Sequence, residues 1–356
     1  MRILLVHPGA SWSTADVYDG VLYGLRHHGA TVIPYRLDTR IQASHKSLHA
    51  LWRVRKRNEP DLPKPNRIDM IYDAGCHAVT AALREQVDVV LVVSAMFLHP
   101  DVILMMKRAG LRVVVLFTES PYDHAEEMMI AKMVDGCWTN ERAALPAFRS
   151  VNPNSGYLPH AWHPLKHLSA LSDEDLEATA HDVVFVGSGF PERVAFFNAI
   201  DWSGIDLGLY GTWKGLGLSR KVAACVKGDQ VENVYASALY RRSKIGISLY
   251  RTRGSKRLPL PLVPESLSPR AYELARCGVF HLSEYRSEVV DVFGDLVPTF
   301  ATPSEASALI RIWLSNDDRR HEVAAALPKA VERSSWVERA QTVLGDLHQV
   351  LTSRAA

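Results

Sequence analysis

The sequence has few cysteines, and it contains none of the segments that mark secreted or membrane-spanning chains. Its four cysteines (76, 137, 225 and 277) form no C-x-x-C pair and no spacing typical of disulfides. No apolar run approaches the roughly 20 residues that a membrane-spanning helix needs. The N-terminus enters a predicted strand almost at once, so no signal peptide is expected. We therefore expect a soluble, cytoplasmic protein whose cysteines are reduced and buried.

A strong charge of either sign is also lacking. The chain has 41 Lys and Arg against 39 Asp and Glu, a formal net charge of +2. That value is too small to indicate a nucleic-acid or membrane partner by itself. Hydrophobic residues make up 47% and charged residues 22%, which are globular values, and 356 residues suffice for two domains.

Dinucleotide and metal motifs are missing as well. The first strand-to-helix turn lacks G-x-G-x-x-G, so no dinucleotide fingerprint is inferred. The D-x-D at 173–175 opens a predicted linker helix instead of following a strand, so we discount it as a Mg²⁺ or Mn²⁺ site. His160 and His163 lie three apart without an evident third ligand. The sequence therefore predicts no metal site and no bound cofactor.

Apolar runs and helical patterns alternate along the whole chain, which is typical of doubly wound α/β folds. Near-continuous apolar runs such as 87–93 resemble the buried strands of parallel sheets. We predict two Rossmann-like domains, 1–170 and 180–335, facing across a cleft and joined by a polar, acidic linker. A C-terminal helix over 336–356 is expected to pack back toward the first domain. The predicted strands cover residues 2–6, 31–35, 87–93, 111–117, 136–140, 155–158, 182–186, 205–210, 245–250, 279–282 and 296–300.

Polar residues follow the predicted strand 111–117 directly. Glu119, Asp123 and His124 lie just beyond its carboxyl end, where open α/β sheets bind ligands. They are candidate acid or base groups, although such residues also commonly cap the next helix.

A small-residue loop opens the second half of the chain. Gly187-Ser188-Gly189 follows an apolar run and leads straight into a helix that carries Arg193 in its first turn. Small residues at such a turn allow a ligand to approach the backbone closely, and the arginine could add charge for a phosphate.

A second helix start lies farther along the chain, after the basic and proline-rich loop 251–267. Ser268 fits the N-cap, Pro269 fits the first helical position and Gly278 can end the helix. Arg270 and Glu273 lie three apart on one surface. The helix N-terminus and the arginine could bind phosphate, and the glutamate could accept hydrogen bonds from ribose hydroxyls. An ordinary capped helix with an internal Arg–Glu pair fits the same pattern.

The segment 44–67 concentrates basic residues around Trp52. We interpret it as a surface helix and loop whose charges face solvent, with phosphate or acidic-acceptor binding as the alternative. Its cations are Lys46, Arg53, Arg55, Lys56, Arg57, Lys64 and Arg67.

Three of these motifs together resemble the GT-B glycosyltransferases. They are Gly187-Ser-Gly-Phe-Pro-Glu-Arg193, Tyr210-Gly-Thr-Trp, and Ser268-Pro-Arg-Ala-Tyr-Glu-Leu-Ala-Arg-Cys-Gly278. More narrowly, the pattern resembles the CgeB-like branch of glycosyl transferase group 1. The resemblance extends over nearly the whole chain and is specific over residues 182–340.

The resemblance implies a nucleotide-sugar donor, a UDP-sugar, bound mainly by the second domain without a required metal. Gly187, Ser188 and Arg193 would lie by the diphosphate, Arg270 would face phosphate, and Glu273 would take the ribose hydroxyls. Further donor-site candidates are Tyr250, Lys256 and Ser268, with Glu265 as an additional candidate near the sugar.

The resemblance also implies an acceptor bound by the first domain, where Gly9, Ser11 and His160 are the candidate acceptor-binding residues. An inverting reaction would take a general base from this domain. Glu119 is the first choice, with His7 and Asp123 as alternatives. A retaining reaction needs no such base.

Three functions remain open. The first is a metal-independent glycosyltransferase acting on a small molecule, a glycan or a protein. The second is a phage-type glycosyltransferase that modifies a hydroxymethylated DNA base, which the basic segment 44–67 motivates. The third is a non-catalytic module that binds a sugar nucleotide or a glycan.

Overall fold

The computed structural model describes residues 1–10, 13–167, 171–178, 180–229, 231–254 and 259–352. The chain forms two compact units, Met1–Pro159 with Val337–Ala356, and His160–Trp336. The division after Pro159 lies ahead of the boundary expected at residue 170. Each unit is built on its own parallel sheet of six described strands.

The sheet of the first unit has the strand order β2-β1-β3-β4-β5-β6, all pairs parallel. Its central strands β3 and β4 are buried at every residue, as their apolar runs predict for a sheet covered on both faces. The order reverses between β1 and β3. The strands are β1 (Arg2–Val6), β2 (Thr31–Tyr35), β3 (Val89–Val93), β4 (Val113–Leu116), β5 (Gly136–Thr139) and β6 (Ser155–Tyr157).

Helices connect these strands. An Asn66 capping box starts the third of them. Over 44–67, where a surface helix and a loop were expected, the second helix extends to residue 55 and a loop leads from it to the third. The helices are α1 (Ser13–His27), α2 (Leu37–Arg55), α3 (Arg67–Arg84), α4 (Pro100–Arg108), α5 (His124–Ala131) and α6 (Leu145–Val151).

The sheet of the second unit has the order β12-β11-β10-β7-β8-β9, again all parallel. Read from the other edge this is the Rossmann order 3-2-1-4-5-6, which reverses between β7 and β10. The strands are β7 (Val183–Val186), β8 (Leu207–Tyr210), β9 (Val226–Gly228), β10 (Ile245–Ser248), β11 (His281–Glu284) and β12 (Thr299–Phe300).

An aromatic cluster forms part of the core of the second unit. The rings of Phe185, Phe197 and Trp213 meet edge to face, with centroids 5.3 to 5.8 Å apart. The helices are α7 (Pro164–His167), α8 (Asp173–Ala178), α9 (Pro191–Ala199), α10 (Arg220–Ala223), α11 (Asn233–Arg242), α12 (Pro269–Arg276), α13 (Ser287–Phe293), α14 (Pro303–Leu314) and α15 (Asp317–Ala330).

The last helix, α16 (Trp336–Thr352), leaves the second unit and contributes to the first. The indole Nε1 of Trp138, on β5, donates a hydrogen bond to Asp346 Oδ2 of this helix at 2.7 Å. The prediction of two Rossmann-like halves with a helical C-terminal segment is confirmed. In the described part of the chain, no helix is long and apolar enough to cross a membrane.

Candidate active site

Two glycines close the turn that follows β7. The Gly187 N–H donates to the Tyr210 carbonyl oxygen at 2.8 Å. Gly211 has a φ of +128°, and a Cβ there would lie 2.3 Å from the Gly187 carbonyl oxygen. Because two backbones touch at this point, only glycine fits position 211 without a shift of the turn. The loops after β7 and β8 therefore form one compact wall at the carboxyl edge of the sheet.

Arg270 spans the point where the strand order reverses. It lies in the first turn of α12, and its Nε donates to the Val186 carbonyl oxygen at 2.7 Å while Nη1 donates to that of Leu249 at 3.4 Å. Val186 ends β7 and Leu249 follows β10. The guanidinium carbon lies 4.5 Å from the centre of the Phe185 ring. The chain thus holds a cation at the crevice where open α/β sheets bind their ligands.

Arg193 approaches the same crevice from α9. Its side chain is buried, and Nη1 donates to the Ser188 carbonyl oxygen at 2.8 Å while Nη2 donates to that of Leu249 at 3.0 Å. These hydrogen bonds tie the small-residue loop to the end of β10. Hydrogen bonds from a charged donor contribute roughly 1.5–3 kcal/mol each, so Arg193 holds the loop as well as adding charge.

Two serine hydroxyls lie near this cation pair. Ser268 occupies the N-cap of α12, but its side chain makes no capping hydrogen bond. The Oγ atoms of Ser268 and Ser248 are both buried, and within the described residues neither has a hydrogen-bond partner. Ser248 faces α12, because a Cβ on Gly246 would meet Leu274 and residues two apart on a strand share a face. The hydrogen-bonding capacity of both hydroxyls is therefore unused by the described residues.

Ser248 was not identified from the sequence. The sequence feature that points to it is its position as the polar last residue of the otherwise apolar strand Ile245–Ser248.

Glu273 lies one turn after Arg270 on α12, and its side chain is buried. Its Oε1 is 3.9 Å from Nε2 of His167. Burial lowers the pKa of His167 to about 3, so that imidazole is neutral at pH 7 and the contact is no ion pair. Burial, followed by the charge of Glu273, raises the pKa of Tyr240. The Glu273 carboxylate therefore lies close to His167 and to Tyr240, and Tyr240 in turn lies within hydrogen-bond reach of Arg270.

The remaining donor-site candidates lie in different surroundings. Tyr250 is buried, its N–H donates to Glu284 Oε2 at 3.0 Å, and its ring lies 4.5 Å from the Arg286 guanidinium. It therefore supports the site from the core side and does not form an exposed wall. Ser188 is exposed at the surface of the loop. Lys256 lies outside the described residues.

Glu288 stabilises the approach to α12, a role that the sequence did not assign. Its Oε2 accepts a hydrogen bond from the Leu267 N–H at 2.6 Å, and its own N–H donates to the Glu265 carbonyl oxygen at 3.2 Å. Arg286 donates to the Pro264 carbonyl oxygen at 2.8 Å. Residues around α13 thus fix the loop from which α12 starts.

In the first unit, His7 and Gly9 lie where the strand order reverses. His7 Nδ1 accepts a hydrogen bond from the Gly9 N–H at 3.1 Å and lies 3.5 Å from Asp38 Oδ1. Burial lowers the pKa of His7, so the neutral imidazole can accept a proton. Gly9 has a φ of +91°, and a Cβ there would lie 2.5 Å from Phe97 Cβ. Ser11 lies outside the described residues.

Glu119 lies beside a buried carboxyl that the sequence pattern did not reveal. Glu127 Oε1 accepts a hydrogen bond from the Glu119 N–H at 2.9 Å, and Oε2 accepts one from Ser120 Oγ at 2.5 Å. Burial raises the pKa of Glu127 to about 8, and the charges of Glu119 and Asp123 act in the same direction. A carboxyl that keeps its proton near neutral pH thus underlies the loop 118–123. The burial of Glu127 could have been inferred from its position on α5, because it lies one turn before Ala131 and therefore on the same inward-facing side of the helix.

His160, expected on the acceptor side, belongs to the second unit and is buried. His163 and His167 contact each other nearby, since the His163 N–H donates to His167 Nδ1 at 2.8 Å. Over the described ranges, no group of three or more His, Cys, Asp or Glu side chains is placed to hold a metal ion.

Residues 193–345 match a family model described as "Glycosyl transferase-like". This stretch contains Arg193, α12 and the loop that α13 fixes. A search of curated proteins gave no match. The match and the fold together indicate a glycosyltransferase.

Solved sugar-phosphate synthases share this architecture over nearly the whole chain. A sucrose-phosphate synthase from Thermosynechococcus elongatus is 14% identical, with a TM-score of 0.64 and coverage of 100% of both chains. A UDP-forming α,α-trehalose-phosphate synthase from Burkholderia xenovorans, in complex with glucose-6-phosphate, is 10% identical with a TM-score of 0.58 and covers 97% of this chain and 99% of its own. A trehalose-6-phosphate synthase studied for glycosyl transfer with retention is 10% identical, with a TM-score of 0.58, and the match covers 98% of this chain and 99% of that one. The predicted GT-B fold is confirmed.

Proposed function

We propose that the protein transfers a sugar from a UDP-sugar to an acceptor hydroxyl, with the donor on the second unit, the acceptor on the first, and no bound metal. The observation that carries this proposal is the convergence of Arg193 and Arg270 on the Leu249 carbonyl oxygen. Two guanidinium groups held at the reversal of the sheet supply the positive charge that a diphosphate requires.

Charge stabilisation of the leaving nucleotide is the main chemical task of such a site. As the bond to the sugar breaks, negative charge develops on the diphosphate, and groups oriented in advance stabilise it without reorganisation. Arg270, the N–H groups at the start of α12 and the hydroxyls of Ser248 and Ser268 are suited to this role. Arg193 acts mainly as a positioning residue, because its side chain is buried, unlike that of Arg270, and its guanidinium donates to two backbone carbonyls.

The choice of uridine follows the solved relatives, one of which is described as UDP-forming. Glu273 is the candidate for the ribose hydroxyls, one turn beyond Arg270 on α12. The CgeB-like assignment is part of this proposal and rests on the motifs around Gly187, Tyr210 and Ser268. The free cysteines of the described chain support a cytoplasmic location.

The acceptor side has two mechanistic alternatives. In an inverting reaction Glu119 would take the proton of the acceptor hydroxyl. In a retaining reaction, which is the course studied in one solved relative, Glu119 would bind the acceptor without acting as base. The anomeric configuration of the product, followed by proton NMR, separates the two.

The test is release of nucleoside diphosphate from UDP-, GDP-, ADP- and dTDP-sugars, measured with and without EDTA and with and without sugar and sugar-phosphate acceptors. We expect release from a UDP-sugar that EDTA does not abolish and that an acceptor accelerates. Release that requires added Mg²⁺ or Mn²⁺ would contradict metal independence. Tight UDP-sugar binding without any turnover would favour the non-catalytic module instead.

A further inference from the structure

The outward face of α2 exposes an apolar ridge that none of the described residues covers. Leu51 is 55% and Val54 63% exposed, high values for large aliphatic side chains. They continue a row with the exposed residues Ala43, Ser47 and Ala50, at intervals of three or four positions. Because such intervals bring side chains onto one helix face, the row forms a continuous stripe directed away from the core.

Cations flank this stripe. Lys46 and Arg53 are exposed and lie along one side of the helix, seven positions apart, and Arg57 is exposed in the turn that directly follows the helix. Arg55 lies on the other side and pairs with Glu59. An apolar stripe bordered by Lys and Arg is the pattern of helices that lie in the plane of a membrane surface. We call residues 43–57 of this face the basic–apolar ridge.

The aromatic residue of the segment is not available on this ridge. Trp52 Nε1 donates to the Leu62 carbonyl oxygen at 3.0 Å, and Lys56 Nζ lies 4.6 Å from its ring. Binding of single-stranded nucleic acid commonly combines cations with aromatic rings on which bases stack. Here the ring faces inward and aliphatic side chains face outward, which favours lipid over nucleic acid.

We propose that the basic–apolar ridge docks the protein on an anionic lipid surface. Leu51 and Val54 would enter the boundary between headgroups and acyl chains, while Lys46, Arg53 and Arg57 would contact lipid phosphates. The low net charge of the whole chain does not oppose this, because the attraction comes from cations concentrated on one face. Docking is peripheral and independent of the proposed transfer reaction.

The experiment is co-sedimentation of the full chain with phosphatidylcholine vesicles, with and without about one-third phosphatidylglycerol, at low and high salt. We expect binding only to the anionic vesicles, weakened by salt. The double variant Leu51→Glu, Val54→Glu should bind roughly tenfold more weakly. The matched control is Ile312→Glu on α14, which replaces an equally exposed aliphatic side chain in the other unit and should bind like the unchanged protein.

Three results would overturn the proposal. The first is the absence of vesicle binding at low salt, and the second is equal binding by the double variant and the unchanged protein. The third is evidence that the basic–apolar ridge binds DNA or a second copy of this chain instead of lipid. Tighter binding to duplex DNA than to vesicles would identify a nucleic-acid surface, and a dimer in light scattering that the double variant dissociates would identify an interface between copies of this chain. Circular dichroism of each variant confirms that it is folded.

Discussion

Arg193 and Arg270 donate hydrogen bonds to the same acceptor, the carbonyl oxygen of Leu249, at 3.0 and 3.4 Å. One arginine comes from α9 and the other from α12, so a single carbonyl after β10 links both helices that border the crevice. The two cations remain close together because backbone oxygens satisfy part of their hydrogen bonding. The candidate donor site is thus arranged before any ligand binds, as the proposed stabilisation of a leaving group requires.

Replacing Arg193 by Lys should damage both the fold and the site. Lysine cannot reproduce the two divergent hydrogen bonds to Ser188 and Leu249. We expect the free energy of unfolding in urea to fall by about 2–3 kcal/mol and UDP binding to weaken. Arg319→Lys, on the exposed part of α15, is the control and should change neither. An Arg193→Lys variant as stable as the unchanged protein would show that these hydrogen bonds contribute little.

Gly211→Ala should destabilise the turn between the loops after β7 and β8. The new Cβ would lie 2.3 Å from the Gly187 carbonyl oxygen, and the φ of +128° disfavours alanine in addition. We expect a loss of roughly 1–3 kcal/mol in thermal unfolding. Gly345→Ala, in the exposed middle of α16 with no atom near the added Cβ, should stabilise by up to about 1 kcal/mol. Equal effects of the two substitutions would contradict the close approach of the two loops.

Glu127→Gln should change how stability depends on pH. The pKa of Glu127 rises from an ordinary 4.5 to about 8 in the folded protein. Between these values the folded state keeps a proton that the unfolded state has lost, so stability falls as pH rises from 5 to 8. The free energy of unfolding of the glutamine variant should not fall in this way. In the unchanged protein the upper bound of the fall is roughly 5 kcal/mol. Urea unfolding at both ends of that range tests it, with the half-buried Glu126→Gln as control. Parallel pH profiles of Glu127→Gln and the unchanged protein would count against a buried, protonated carboxyl.

Glu119→Gln should separate the two reaction courses. If Glu119 is the base of an inverting reaction, kcat should fall about 10²–10⁴-fold while donor affinity is unchanged. If the product retains configuration, the loss should be small and should raise KM for the acceptor. Steady-state kinetics combined with NMR of the product distinguishes these outcomes. Full activity of Glu119→Gln would remove this residue from the acceptor site.

The architecture was largely predictable because buried parallel strands carry a strong local signal. Residues Val89–Val93 and Val113–Leu116 are apolar throughout, which only a doubly covered sheet accommodates easily. Short elements escaped detection. The edge strand β9 has three residues, and α13 is a seven-residue helix between β11 and the next strand. Such segments form because tertiary contacts stabilise them, and their sequences alone have little periodicity.

The candidate site was predictable in its residue types and not in its contacts. Arg193 and Arg270 stood out because each begins a helix after a buried strand. Their common acceptor, Leu249, lies 56 and 21 residues away in the sequence, and no local pattern encodes such a pairing. The same holds for the burial of Glu127 and Tyr250, which depends on what packs over them.

The most direct test of the donor site is calorimetric titration of UDP and uridine into the unchanged protein and into Arg270→Ala, with and without EDTA. We predict that Arg270→Ala raises the Kd for UDP about 10- to 100-fold and leaves uridine binding nearly unchanged, because in the proposed site the diphosphate, and not the nucleoside, would contact the Arg270 guanidinium. Glu273→Gln should instead weaken both ligands. EDTA should have no effect on the unchanged protein. Equal UDP affinity of Arg270→Ala and the unchanged protein, or loss of UDP binding in EDTA, would contradict a metal-independent diphosphate site at Leu249.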